Sequence, residues 1–164
     1  MSNFIHCKNN FGEEVDVPIN KFFFRPSVYG FIVYDKKILV MRNKSNGKLW
    51  FPGGGLEIDE RLEAGLKREV KEETGIDIII DKLILTKENF FYYQPLDEAY
   101  HAFLFFYLCR PITQNLLADD DVNDLESKKP RWIIIDSIKP DDISDLSSDI
   151  YSCLQRLLKI IDIG

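Results

Sequence analysis

The chain has 164 residues, 45% of them apolar and 29% charged, which suits one globular domain with its own core and excludes a disordered chain. A net charge of −6 without a long basic run excludes broad electrostatic attachment to extended nucleic acid. No apolar run reaches the ~18 residues of a membrane span, and the N-terminus lacks an apolar signal core. Residues 1–27 read as an N-terminal extension. It carries a turn at Phe11-Gly12-Glu13 and a short strand at Phe22-Phe23-Phe24 that Arg25-Pro26 interrupts. Arg25 is a candidate for facing a phosphate or a nucleobase, with a structural ion pair as the plainer reading. Val28–Tyr34 and Lys37–Arg42 are β-rich runs on either side of Asp35-Lys36, the pattern of a hairpin. Asn43–Lys48 is a polar loop. Leu49-Trp50-Phe51-Pro52 then leads into Gly53-Gly54-Gly55, where the backbone can turn sharply and let a ligand approach. Trp50 is either a base-stacking group or a half-buried residue at a strand end.

Gly54–Ile76 reads as a glycine-rich turn, one helix and a glycine stop. Ala64, Leu66, Lys67, Arg68, Glu69, Lys71, Glu72 and Glu73 are good helix formers, Gly75 stands at the C-terminal cap, and Asp59 is the expected N-cap. On a helix, Leu62, Leu66, Glu69 and Glu73 form one stripe, apolar in its first half and acidic in its second. Glu72 flanks it. Carboxylates at i, i+3 and i+4 repel one another, and turned inward they need a positive partner. Hard oxygen donors on a rigid element suit Mg²⁺ or Mn²⁺. A solvated acidic face with Lys67, Arg68 and Lys71 as local partners is the alternative.

Beyond the helix, Asp77–Thr86 reads as a strand bent near Asp81-Lys82. Asn89–Tyr93 is aromatic, Gln94–Glu98 a loop, and Tyr100–Leu108 a strand with His101 in a structural role. Ile112–Pro130 is irregular, and its Asp119–Asp121 run, with Asp124 and Glu126, reads as a solvated loop. Arg131–Asp136 is a short strand, and Asp141–Leu146 a turn or short helix. Ser147 is the N-cap of a last helix, whose Ile150, Leu154, Leu157, Leu158 and Ile161 share one core-facing stripe. Three cysteines, Cys7, Cys109 and Cys153, have no CxxC spacing, which argues against a zinc site or a disulfide framework and for a reducing, cytoplasmic setting.

Gly54, Glu60 and the run Arg68-Glu69-Val70-x-Glu72-Glu73-x-Gly75-Ile76, at their spacing, resemble the Nudix box. At ordinary residue frequencies a chance match is on the order of 10⁻⁹ per starting point. The resemblance implies an α/β fold, an α/β/α sandwich with a mixed sheet, in a single domain over residues 1–164 with the box at 54–76. It also implies hydrolysis of a nucleoside diphosphate linked to a group X, with Mg²⁺ or Mn²⁺ on Glu69, Glu72 and Glu73. The general base is then Glu69 or Glu73, or a residue of a later loop, for which Glu98, Glu126 and Asp119–Asp121 are available. Arg68 suits a bidentate ion pair with Glu60, and Gly54 and Gly55 shape the turn. The substrate is a small nucleotide, and homodimers are frequent in the family. Tyr93 falls near a tyrosine of diadenosine polyphosphate hydrolases, and Pro95 lies a few residues beyond the spacing of ADP-ribose hydrolases. Arg25, Trp50 and Tyr93 are thus the candidate substrate contacts. Two other classes compete: a nucleotide-binding sensor without turnover, and a prenyl diphosphate isomerase, which needs a reactive cysteine.

Overall fold

A two-residue turn sets the register of the centre of the sheet. Asp35 and Lys36 have φ of 47° and 58°, the left-handed pair of a type I′ turn, and join β3 (Phe22–Tyr34) to β4 (Lys37–Asn43). The computed structural model describes residues 3–44, 46–118, 127–143 and 147–161. Its other strands are β1 (Phe4–Asn9), β2 (Glu14–Pro18), β5 (Leu49–Trp50), β6 (Gly53–Gly55), β7 (Ile78–Tyr93), β8 (Glu98–Pro111) and β9 (Ser127–Ile134); its helices are α1 (Leu62–Thr74) and α2 (Ser147–Ile161). The described strands form one nine-stranded mixed sheet in the order β2-β1-β7-β8-β3-β4-β5, with β6 on β3 and β9 on β4. β3 runs parallel to β8, and β1 parallel to β7, whereas β7 and β8 form a long antiparallel pair.

Alternation along the strands sorts side chains into two cores. Phe31, Ile38, Val40, Leu104 and Phe106 pack with Ile150, Leu154 and Leu157 of α2. Val28, Ile32, Leu39, Tyr107 and Cys109 pack with Leu66 and Val70 of α1. Each helix therefore covers one face, as an α/β/α sandwich requires. Each fully buried Leu, Ile or Phe contributes about 1.5–3 kcal/mol before the entropy of ordering it. The side chains of Leu158 and Ile161 lie outside the described residues.

Several boundaries differ from the sequence reading. Arg25-Pro26 does not interrupt the strand, and Phe22–Ser27 of the N-terminal segment are the first half of β3. The Pro26 carbonyl accepts from Leu56 N–H at 3.0 Å, so the side of Pro26 that lacks a donor faces away from β8 and costs that ladder nothing. The bend expected near Asp81-Lys82 is present as a register shift between Ile80 and Lys82, but β7 continues through the aromatic segment to Tyr93 because β8 pairs with it throughout. Gly53–Gly55 is a short strand on β3 rather than a free turn. β9 begins at Ser127 and ends at Ile134, and Ile135–Ser137 form a 3-10 turn. The N-cap of α1 is Arg61 without a capping side chain, not Asp59, because the chain first makes a turn in which Glu60 N–H donates to Glu57 C=O at 3.2 Å. Gly75 ends the helix as expected, with φ 79°. Asp119–Asp121, Asp124, Glu126 and the end of the Asp141–Leu146 turn lie outside the described residues, as does the Ser147 side chain.

Candidate active site

β3 has two partners on one edge. β4 takes its end, at Val33 and Tyr34, and β6 takes its middle, at Ser27–Tyr29. The chain therefore brings a strand of three glycines to the acidic end of α1. Gly53 has φ 139°, and a Cβ there would stand 2.0 Å from the Val28 carbonyl oxygen, so no other residue fits. Gly53 N–H donates to Glu73 Oε2 at 2.7 Å. Glu73 is 6% exposed, a carboxylate sunk into the packing stripe of its helix. The box pattern begins at Gly54 and so misses the Gly53 contact; the glycine triplet was the available signal. At Gly54 a Cβ would come within 2.9 Å of the Glu69 carboxylate, so that carboxylate lies directly over the bare strand.

Arg68 organises the remaining acids. Its Nε donates to Glu60 Oε1 and its Nη2 to Glu60 Oε2, both at 2.8 Å, the bidentate pair the sequence suggested. Nη1 reaches Glu69 at 2.9 Å and Glu72 at 3.2 Å, and Nη2 reaches the Gly55 carbonyl at 3.3 Å. The hydrogen bonds from Arg68 hold Glu60 below the usual carboxylate range, and those to Glu60 and Glu69 raise the guanidinium still further above any accessible pH. Glu60, Glu69 and Glu72 thus gather around one guanidinium, with Glu69 over Gly54 and Glu73 bonded to the Gly53 amide of the same glycine strand. Four acids against one base leave a local excess of negative charge, and oxygen donors of this kind fit a hard divalent cation. Among the described residues no three acidic, histidine or cysteine side chains already stand in the geometry of a metal site. Here Arg68 and the Gly53 amide take the oxygens instead.

The three candidate substrate contacts lie on the α2 face of the sheet, where strand alternation puts them. Arg25 sits over the Tyr100 ring, 4.9 Å from its centroid. Trp50 packs edge-on to Tyr29 at 5.4 Å, and is half-buried against the core. Tyr93 ends β7, two residues beyond Phe91, whose ring meets Tyr100 at 5.2 Å. Tyr100 was not singled out from sequence; its place in an alternating β-run was the only sign. Of the later-loop bases, Glu98 accepts a hydrogen bond from the Tyr100 hydroxyl. His101 is structural, bonded to Glu88 at 2.6 Å and stacked on Phe90 at 4.1 Å. Cys109 is fully buried, and burial pushes its thiol up to about 12; Cys7 is also buried and raised by desolvation. Neither is the reactive thiol that an isomerase requires.

A mixed sheet between two helices, with an acidic helix end held on a glycine strand, defines the class of the fold as α/β. The NUDIX domain family model matches residues 23–152, and the chain belongs to that family. It is a hydrolase with pyrophosphatase-type relatives. A MutT-like protein of Streptomyces ambofaciens is 32% identical over 137 residues, covering 83% of this chain and 76% of that protein. An ADP-ribose pyrophosphatase of Methanocaldococcus jannaschii is 31% identical over 103 residues, covering 61% of this chain and 59% of that one. The crystal structure of a MutT NUDIX hydrolase from Burkholderia pseudomallei shares the fold, with a TM-score of 0.62 at 20% identity over 81% of this chain and 97% of its own.

Proposed function

We propose that the chain hydrolyses the pyrophosphate bond of a nucleoside diphosphate linked to a second group X, with Mg²⁺ or Mn²⁺ as cofactor. Water attacks one phosphorus, the bridging P–O bond breaks, and two phosphomonoesters and a proton leave. The observation that carries this reading is the gathering of Glu60, Glu69 and Glu72 around the guanidinium of Arg68, with Glu73 beside them on the Gly53 amide of β6. Glu69, Glu72 and Glu73 would hold the cation. When bound, it neutralises charge on the diphosphate and lowers the pKa of a coordinated water. Glu69 or Glu73, in place of a ligand role, would accept the proton of the attacking water. Arg68 keeps the acids in place by tying Glu69 and Glu72 to Glu60, and Gly54 leaves room for the Glu69 carboxylate. Similarity to an ADP-ribose pyrophosphatase supports a nucleoside diphosphate esterified at both ends as the substrate class.

The whole of residues 1–164 acts as one unit in this reading, since β1 and β2 extend the same sheet through β7. The free thiols of Cys7, Cys109 and Cys153 support a cytoplasmic setting. Among the described residues, no helix is long and apolar enough to cross a membrane. The test is a panel of ADP-ribose, nucleotide sugars, dinucleoside polyphosphates and nucleoside triphosphates, with nucleoside monophosphate release measured in Mg²⁺ and in Mn²⁺. Metal-dependent release from one class is expected. No release from any of them with either metal overturns the reading.

A further inference from the structure

A cavity of about 350 Å³ opens on the α2 face of the sheet where β9, β4 and β5 lie side by side. Arg42 is two residues beyond Val40 and so shares its face, and Arg131 of β9 stands opposite Val40. Lys48 precedes Leu49, the partner of Arg42 on β5. Cations from three neighbouring stretches therefore line one space, in a chain whose net charge is −6. Leu49, Ile133 and Ile138 form the apolar part of its wall, and no acid of the candidate active site and no β6 glycine lines it. The walls are held by their own hydrogen bonds. Asn43 N–H donates to the Lys48 carbonyl and Gly47 N–H to the Asn43 carbonyl, both at 2.9 Å, and Arg42 Nη1 donates to the Gly47 carbonyl. Across the cavity, Ser137 Oγ donates to the Ile134 carbonyl at 2.7 Å, and Lys139 N–H donates to the Asp142 carboxylate at 2.8 Å. Among the described residues the side chains of Lys48 and Arg131 have no ion pair or hydrogen bond, and Arg42 uses Nη1 alone. Positive groups left unpaired beside an apolar wall, on a preformed frame, are arranged to receive an anion with a carbon body.

We infer that this cavity is a second anion site, separate from the acidic helix end, and that its ligand is a small organic phosphomonoester. The planar forks of Arg42 and Arg131 and the point charge of Lys48 suit the three free oxygens of a phosphate dianion. The carbon body lies against Leu49, Ile133 and Ile138. The volume stands at the lower end of small-molecule sites and suits a body of one ring or a short chain. Asp141 also lines the cavity and repels the dianion, so its charge opposes binding where that of the three cations favours it. Such a site is independent of the chemistry at Glu69 and Glu73, whose loss would leave it in place.

The probe is phenyl phosphate, titrated into the full nitrogen-15-labelled chain in EDTA, with the amide shifts followed by NMR. Without a divalent cation the acids of the candidate active site repel it. Saturable shifts are expected at Lys48, Leu49, Ile133 and Ile138, and none at Gly53–Gly55. Arg131→Ala and Lys48→Ala are each expected to weaken binding about 10-fold, as loss of a charged hydrogen bond should, and Lys48→Ala decides if Arg131→Ala does not fold. Asp141→Asn removes the repelling carboxylate and should tighten binding. Benzoate, a similar ring with a smaller charge, should bind more weakly than phenyl phosphate. No saturable shift at these amides up to about 10 mM probe, or shifts confined to Gly53–Gly55, overturns the site. Wild-type affinity in the alanine variants that fold overturns the role of the cations. Weaker binding in Asp141→Asn overturns an anion as the ligand, and benzoate binding as tightly as phenyl phosphate overturns the phosphomonoester class.

Discussion

Arg68 grips both oxygens of Glu60 with the Nε–Nη2 edge of its guanidinium, 2.8 Å on each side, across eight positions of sequence. Glu60 lies in the turn before α1 and Arg68 lies within it, so the pair fixes the loop to the helix. The third nitrogen, Nη1, is then aimed at Glu69 and Glu72. One ion pair thereby sets the position of the acids that the proposed reaction uses.

Arg68→Lys should therefore be far from conservative. A lysine has one nitrogen where five acceptor oxygens now share three, so Glu69 and Glu72 lose their register. Turnover is expected to fall about 10²-fold, the order of loss that follows small misplacements of reacting groups. The same pair gives a pH signature. The folded-state pKa of Glu60 is depressed below the 4.5 of a free glutamate by the Arg68 hydrogen bonds. Its contribution to stability is then complete above that value and disappears as pH falls through the folded value. The Tm of wild type should drop between pH 5 and pH 3 more steeply than that of Glu60→Gln. Parallel curves would assign the acid sensitivity elsewhere.

Glu72→Gln and Glu73→Gln are expected to lose metal-dependent turnover by two different routes. Glu72 has an exposed side chain, so its variant should keep the wild-type Tm. Glu73 is buried and accepts the Gly53 amide, a bond that glutamine oxygen can still accept, so its Tm should fall only slightly. Rates and Mg²⁺ activation curves measured beside Tm check both. Wild-type rates in both variants would remove the cation-ligand roles.

Gly54→Val places branched carbon where the Glu69 carboxylate lies, since even the first carbon would stand 2.9 Å from it. The expected outcome is loss of about 10²-fold in kcat with circular dichroism unchanged, because the displaced group is the end of a flexible side chain rather than the core. Retained kcat would show that the position of Glu69 over the glycine strand does not matter to the chemistry.

Cys109 should resist alkylation in the folded protein. It is fully buried, and burial pushes its thiol up to about 12, so the thiolate is scarce at pH 8. Iodoacetamide labelling followed by mass spectrometry should find Cys109 modified only after denaturation. Rapid labelling of the native chain would reopen a nucleophilic role for it.

Leu154→Ala tests the seating of α2. Leu154 is 1% exposed among Ile150, Phe31 and Phe106 in one contiguous core. Its truncation should destabilise the chain by about 2–5 kcal/mol in urea unfolding, the range for buried leucine.

The box residues carried much of the site in sequence because an α-helix converts spacing directly into adjacency. Glu69, Glu72 and Glu73 at i, i+3 and i+4 had to share a face, and Gly75 had to stop the helix. The Asp35-Lys36 hairpin was legible for the same reason, since a two-residue turn is a local event. Asp59 was misplaced as the N-cap because capping depends on how the preceding turn folds, and that turn is shaped by Glu60 reaching forward to Arg68. Arg25-Pro26 looked like a break because a proline harms a strand where its missing donor faces a long ladder; here the nitrogen faces away from β8, and which partner lies on which side is not written in neighbouring residues.

By itself, then, the sequence determined which acids stand together, where their helix ends, and that glycines must lie beside them, all of which follow from bonds and periodicities a few residues long. Only the tertiary structure decided what meets those acids from far away. It set Glu73 on the Gly53 amide and laid β6 along the middle of β3, and through the parallel pairing of β3 with β8 it brought Arg25 over Tyr100. The physical reason is that strand partners are chosen by burial of whole faces, a property of the assembled sheet that no local stretch of chain contains.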